Sequence, residues 1–272
     1  MLLPSAFRMY TARMLQFCLL GVAVLAGTTL ASAQWPRVAS PKLPRSADGK
    51  VNLSAPTPRA ADGHPDLSGL WEMYSESDRP TLLMNLASDL KPGAVPFLPP
   101  AEAIFKEREA TNSKDHPGAQ CLPSGIPEKD TVPAPYKIVQ TPDLIIVLYE
   151  SRTIFRQIFT DGRALPPDPN PAWQGYSVGH WDGDTLVVES AGFNGKTWLD
   201  MAGHPASEAL RVTERFTRRD LGHMDLQITI NDPKSYAKPW TVAAKVHLLP
   251  DDELIEHICE ENNKAPGHLV GK

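Results

Sequence analysis

From Tyr136 onward the chain is a succession of short β-rich runs separated by turn signals, with no helical stretch between them. The runs are 136–140, 144–150, 153–159, 174–181, 185–190, 210–218, 223–231, 240–248 and 253–259. Between them stand Thr141-Pro142-Asp143, Asp161-Gly162, Asp182-Gly183, Asp220-Leu221-Gly222 and Pro250-Asp251-Asp252, residues that preset or tolerate turn dihedrals. Parallel neighbours need a long crossover, usually a helix. None is available, so sequential antiparallel pairing is expected. An open meander would leave two unpaired edges, and closure removes them. With an earlier strand at 67–74 carrying Gly69-Leu70-Trp71, the expectation is a mainly β protein. Its core would be an antiparallel up-and-down barrel of about eight to ten strands. Two longer connections, 161–173 and 191–209, interrupt the meander, and long loops on one rim are where function concentrates.

The residues before this pattern are of a different kind. From Gln34 to about Pro65 the chain is rich in Pro, Ser and Ala and reads as an extended leader. Within it, Ser46-Ala47-Asp48-Gly49 is echoed once by Ala60-Ala61-Asp62-Gly63. One short helix is expected from Pro100 to about Ala110, with Pro99 and Pro100 at its start, Glu102 in its first turn, and Lys106 and Arg108 later. Residues 117–135 hold five prolines and no periodicity, and are expected to wrap a surface.

The N-terminus carries Arg8 and Arg13, an apolar run from Met14 to Leu30, and then Ala31-Ser32-Ala33. That is the pattern of a cleavable secretory signal. The expected organisation is a signal peptide over 1–33, a Pro-rich leader over 34–66 and a barrel domain over 67–272, located in the periplasm or outside the cell. The start could be Met1, Met9 or Met14. Cleavage removes Cys18 and two basic residues, taking the formal net charge from −5 to −7. An acidic chain of this kind is a poor partner for nucleic acid or an anionic membrane. No later stretch is apolar enough to span a bilayer. The two remaining cysteines, Cys121 and Cys259, are expected to pair in an oxidising compartment.

Strand alternation locates the residues that could carry chemistry. In 210–218, Leu210, Val212, Glu214 and Phe216 share the apolar face, which places Glu214 inside. In 153–159, Arg156 shares a face with Ile154 and Ile158, and in 174–181 one face holds Tyr176, Val178 and His180. A buried charge is costly unless paired. This set therefore reads either as a polar pocket, with Arg156 orienting an anion and Glu214 or His180 moving protons, or as an internal Arg156–Glu214 ion pair that fixes the barrel. Asp200 and His204, on the loop before Glu214, could close over such a pocket. On paper His180, Asp200, His204 and Glu214 could also hold a metal, but at no recognised spacing, and His257, Cys259, Glu260 and Glu261 lack the His-Glu-x-x-His pattern. No metal and no cofactor is expected, since no phosphate loop or dinucleotide fingerprint is present. Gly175-Tyr176-Ser177-Val178-Gly179 matches the hydrolase elbow in letters, but another strand follows where that motif needs a helix.

Several of these segments resemble a group of exported bacterial proteins of undescribed activity. The matching residues are Asp62-Gly63-His64-Pro65-Asp66-Leu67-Ser68-Gly69-Leu70-Trp71, Cys121-Leu122-Pro123, Tyr149-Glu150, and Arg156-Gln157-Ile158-Phe159-Thr160-Asp161-Gly162-Arg163. Further on are Trp173-Gln174-Gly175-Tyr176-Ser177-Val178-Gly179-His180-Trp181, Asp184-Thr185-Leu186-Val187-Val188, Thr213-Glu214-Arg215 and Asp232-Pro233. They span roughly residues 58–261. The Gly-x-Trp start and the meander also resemble the lipocalin barrel. Neither resemblance implies a reaction. Three readings stay open: a cofactor-free lyase, isomerase or hydrolase using general acid–base chemistry on a small organic molecule, aromatic ones included; a carrier of a small hydrophobic ligand; and a structural envelope protein with a filled barrel.

Overall fold

The structure is a computed structural model, and it describes residues 39–40, 42–74 and 85–261. The expected signal peptide and its alternative starts lie outside these residues. Nine strands close into a barrel in sequence order: β1 Gly69–Tyr74, β2 Tyr136–Gln140, β3 Leu144–Tyr149, β4 Ile154–Phe159, β5 Tyr176–Asp182, β6 Thr185–Ala191, β7 Arg211–Arg218, β8 His223–Asn231 and β9 Trp240–Leu248. β1 pairs with β9 on one side (Trp71 opposite Leu248) and β2 on the other (Trp71 opposite Tyr136). Gly69 makes this entry possible. Its φ is +147°, and a Cβ there would come within 2.6 Å of Leu248 Cδ1.

The barrel differs from a pure antiparallel meander at one seam. β4 and β5 are parallel, with Ile158 opposite Ser177 and Phe159 opposite Val178. The reason is parity: nine strands cannot alternate direction all the way round a closed barrel, so one adjacent pair must run the same way. The connection 160–175 is long enough to return the chain without a helix. The tenth run, 253–259, forms no strand. It lies across the turn after β3, where Ile255 N–H donates to Glu150 Oε2 and Arg152 N–H to His257 Nδ1.

The alternation read from the sequence builds the interior. Trp71 and Met73, Tyr136 and Ile138, Leu186 and Val188, Val212 and Phe216, and Met224 through Ile230 at every second position all belong to one buried cluster. Full burial of such a side chain stabilises by about 1.5–3 kcal/mol. At one end, the buried Arg218 guanidinium lies 4.7 Å over the Trp71 ring and donates to the carbonyls of Asp66, Asp220 and Leu221. Burial lowers its pKa to about 10.

Two segments expected to be peripheral are part of the packing. Residues 42–66 are extended, but they are bound: Leu221 and Gly222 donate backbone N–H to Ala55 and Leu53, and Ala55 is buried. The echoed tetrapeptides form two copies of one tight turn, closed by Arg45–Val51 and Arg59–Pro65 bridges, with Gly49 and Gly63 at φ +82° and +87°. Between β1 and β2 lie α1, Pro99–Ala110, and a four-residue helix α2, Glu128–Thr131. The 117–135 segment does not simply wrap the surface. All four residues of α2 are buried, and it serves as a polar plug against the barrel. Cys121 and Cys259 are bonded, with Cα atoms 5.5 Å apart. No helix among the described residues is long and apolar enough to cross a membrane.

Candidate functional site

Arg156 and Glu214 meet inside the barrel, as one of the two readings of the alternation required. Arg156 Nη1 and Nη2 donate to Glu214 Oε1 and Oε2, side by side. The plug supplies a second carboxyl, Asp130, whose Oδ2 accepts from Nη1 at 3.3 Å and whose Oδ1 accepts from the Tyr149 hydroxyl at 2.7 Å. Arg156 Nε donates to Ser177 Oγ at 3.0 Å, and Nη2 also donates to Ser190 Oγ at 2.9 Å. A guanidinium has five N–H donors, and these five bonds use all of them. Arg156 therefore has nothing left with which to hold a substrate anion.

The electrostatics agree with a closed unit. Burial, and then the neighbouring Glu214 carboxyl, push the Asp130 pKa well above the ordinary carboxylate value, against the pull of Arg156. Burial opposes the charge on Arg156, but Glu214, Tyr149 and Asp130 outweigh it and raise its pKa. One cation thus faces two buried carboxyls. Tyr136 stands beside it with a buried hydroxyl that has no hydrogen-bond partner among the described residues. Burial and the two carboxyls raise the pKa of that hydroxyl.

The other sequence candidates on the barrel wall do not join this cluster. Ser177, not Tyr176 or His180, points inward from β5, so the face holding His180 is the outer one. His180 is exposed. Tyr176 is half-buried, and its hydroxyl accepts from Arg163 Nη1 at 3.0 Å. The parity was mis-set because Ser177, Gly179 and Trp181 look less apolar than Tyr176 and Val178. Ser177 also sits mid-strand, bonded to Arg156 and Ser190, which is not the strained turn of a hydrolase elbow. Among the described residues no group of three or more His, Cys, Asp or Glu side chains could hold a metal ion.

Asp200 and His204 form a separate site. They do not close over Glu214. Their side chains bond to each other, His204 Nδ1 lying 2.6 Å from Asp200 Oδ2, and both are buried. With Asp200 Oδ2 as the acceptor, Nδ1 is the donor of this bond and Nε2 is the ring nitrogen left for other partners. Asp200 is fixed in turn by three backbone N–H groups. Leu86 donates to Oδ2 at 2.8 Å, and Gly203 and His204 donate to Oδ1 at 3.0 Å. The imidazole is walled by Phe105, Phe97 and Trp240, at ring-centre distances of 4.4, 5.5 and 5.7 Å.

Local sequence explains this placement. α1 presents Phe105 to the ring, and one turn later Arg108, whose Nη1 donates to Gly203 O at 3.1 Å while its guanidinium lies 3.8 Å over Trp198. Burial lowers the Arg108 pKa to about 10. Pro96, Phe97 and Leu98 are tied to the turn before β9 by Leu98 N–H to Ser235 O and Ala237 N–H to Pro96 O. His204 lines a groove of about 760 Å³ with apolar Leu90, Val95, Phe97 and Phe105 on one side and charged Lys91, Glu102, Lys106 and Glu109 around it. His204 Nε2 has no hydrogen-bond partner among the described residues.

No family model, curated protein or solved structure matches the chain. Sequence reading named both members of the dyad but missed Asp130, Tyr149, Ser190 and the aromatic wall. Ser190 was within reach, since it alternates with Leu186 and Val188 on β6. Asp130 was not, because nothing in an aperiodic, Pro-rich segment says that it enters a barrel.

Proposed function

We propose that the protein is an exported acid–base enzyme that works on a small apolar or aromatic organic molecule in the groove beside α1, with His204 as general base and Asp200 as the group that orients it. One observation carries this: an imidazole fixed through Nδ1 by a fully engaged carboxylate, on a residue that lines a groove with Leu90, Val95, Phe97 and Phe105. Such a base contributes about 10²–10⁴-fold to a rate. The reaction class is a hydrolysis, elimination or isomerisation that needs a proton removed. The barrel interior is its scaffold, since the Arg156 donors are all used within the protein.

Export is supported by the Ala31-Ser32-Ala33 pattern and by the Cys121–Cys259 bond, which suits an oxidising compartment. The same motifs support a place in the exported bacterial group named above and a lipocalin-like relation, both as proposals. A second reading, carriage of a small hydrophobic ligand, is favoured by the lining of Leu90, Val95, Phe97 and Phe105.

The test is incubation with pools of small aromatic and aliphatic compounds, with products read by mass spectrometry. Wild type is compared with His204→Gln, Asp200→Asn and Glu214→Gln. Conversion that falls at least about 100-fold in folded His204→Gln supports the enzyme. Compounds recovered unchanged but bound, in wild type and His204→Gln alike, would replace it with the carrier.

A further inference from the structure

A hydroxyl and a buried amine meet at the turn after β3, away from the His204 groove. Lys129, in the plug helix α2, is 1 % exposed. Its Nζ donates to two atoms of one residue, Ser151: the carbonyl oxygen at 2.8 Å and the hydroxyl Oγ at 3.0 Å. The neighbouring carboxyls are turned elsewhere, Glu128 to His116 and Ser124, and Asp130 to Tyr149 and Arg156. A buried ammonium without an ion-pair partner is costly, which favours the neutral amine. Burial, with Arg152 adding to it, lowers the Lys129 pKa to about 8, and the opposing charges of Glu128 and Asp130 are outweighed. A neutral amine carries a lone pair that takes a proton from the hydroxyl it touches.

Ser151 is half-buried while Lys129 is buried, so the base reaches the serine from the protein side and solvent reaches it from the other. The turn that holds it is strained. Arg152 and Thr153, neither of them glycine, follow at φ +66° and +46°, and a β-branched residue avoids that region. Strain of this kind gathers at functional sites. The turn is locked by the 253–259 run: Arg152 N–H donates to His257 Nδ1 and Thr153 Oγ1 to His257 O, each at 3.1 Å, and the Cys121–Cys259 bond fixes that run in turn. Six large apolar side chains are more than a third exposed among the described residues, and four of them border this turn. Phe155 follows it by two residues, Ile255 N–H donates to Glu150, Ile258 follows His257, and Leu122 follows Cys121. Exposed apolar side chains gathered at one place mark a binding surface.

We infer that Ser151 and Lys129 form a nucleophile–base pair that hydrolyses carboxylic esters with an apolar acyl chain, independently of the His204 groove. Ser151 Oγ forms a bond to the ester carbonyl carbon as its proton passes to Lys129 Nζ. The bond from that carbon to the alkoxy oxygen breaks, and Nζ gives the proton to the departing alcohol, leaving an acyl-serine. Water adds to the acyl carbon and gives a proton to Nζ. The bond to Ser151 then breaks, Oγ takes the proton back, and the carboxylic acid leaves. Phe155, Ile255 and Ile258, exposed beside the turn, receive the acyl chain and favour a long aliphatic one over acetyl.

The experiment treats the full chain with an alkyl fluorophosphonate from about pH 6 to about pH 9, a range that brackets the base, and locates the adduct by peptide mapping. Hydrolysis of p-nitrophenyl octanoate and p-nitrophenyl acetate is followed alongside, each relative to its spontaneous rate. Wild type is compared with Lys129→Met and with Ser151→Ala, which keeps the carbonyl that accepts from Lys129. Each variant is first shown folded by circular dichroism. The expected result is an adduct on Ser151, missing at that position in Ser151→Ala and forming at least about 100-fold more slowly in Lys129→Met. In wild type the labelling rate should rise with pH and level off above about 8, because the base acts once its proton is off. No adduct on wild-type Ser151, a rate that stays flat across the pH range, or an unchanged rate in folded Lys129→Met overturns the proposal. If Lys129→Met does not fold, the pH profile of wild type and the map of Ser151→Ala decide it. Octanoate turnover that Ser151→Ala keeps in full also overturns it, and acetate favoured over octanoate overturns the apolar acyl preference.

Discussion

Replacing Arg156 with methionine removes the only cation in the barrel cluster while keeping an unbranched side chain of similar reach. Ser177 and Ser190 remain bonded to each other at 2.9 Å, and Asp130 keeps the Tyr149 hydroxyl. Glu214 loses both guanidinium contacts, and at zero exposure it has no water to replace them. It must then take up a proton to stay inside. An ordinary glutamate has a pKa of about 4.3. Holding a proton on it at pH 7 costs about 1.4 kcal/mol for each of about 2.7 pH units, or roughly 4 kcal/mol. That falls within the range of about 3–5 kcal/mol found when one partner of a buried pair is removed. The sign follows from linkage. In the variant the folded-state pKa of Glu214 lies above the unfolded value, so the deficit is small near pH 4–5 and grows as pH rises. Urea unfolding followed by tryptophan fluorescence at several pH values measures it. An Arg156→Met deficit below about 1 kcal/mol at pH 7, or one that grows as pH falls, would refute the view of this cluster as a closed structural unit.

Three further outcomes follow from the same geometry. Because the Asp130 pKa is raised in the folded state, its contribution is complete below about pH 4 and is lost as pH rises toward the folded value; Asp130→Asn should remove up to about 1.4 kcal/mol per pH unit of that slope in denaturation curves. Reducing the Cys121–Cys259 bond, which joins residues 138 apart, should lower stability by about 5 kcal/mol on the chain-entropy model, checked by calorimetry with and without reductant. Tyr136→Phe deletes a buried hydroxyl with no partner among the described residues and should be neutral or stabilise by about 1 kcal/mol in urea titrations, in contrast to Tyr149→Phe, which unpairs Asp130 Oδ1.

Period-two alternation carries more of this fold than any other signal. It gave eight of the nine strands after the leader as runs of the right place and length, with β1 from Gly69-Leu70-Trp71, because each strand has one face on the core. It failed where a strand has small or polar inward residues. β5 turns Ser177 inside to bond the Arg156 guanidinium and Gly179 inside against Ile158 and Leu186, so its inward face is small and polar and His180 lies on the outer one. It failed again at 253–259, where the residues alternate but no strand edge remains to pair with once β1 and β9 have closed the barrel. The parallel seam needed only a count of strands, and an odd total was not legible while the tenth run was still expected. The dyad was half legible. Asp200 and His204 stand i and i+4 on a long loop, but their relation to Phe97 and Phe105 depends on a fold-back of some hundred residues that no local pattern encodes.

The central claim is that the groove does the chemistry and the barrel interior supports it. The most direct measurement is conversion of pools of small aromatic and aliphatic compounds by wild type and His204→Gln, each with its circular dichroism spectrum and urea midpoint. The account predicts that His204→Gln keeps the wild-type spectrum and a cooperative transition and loses conversion by about 100-fold or more. Conversion by folded His204→Gln at the wild-type rate would contradict it.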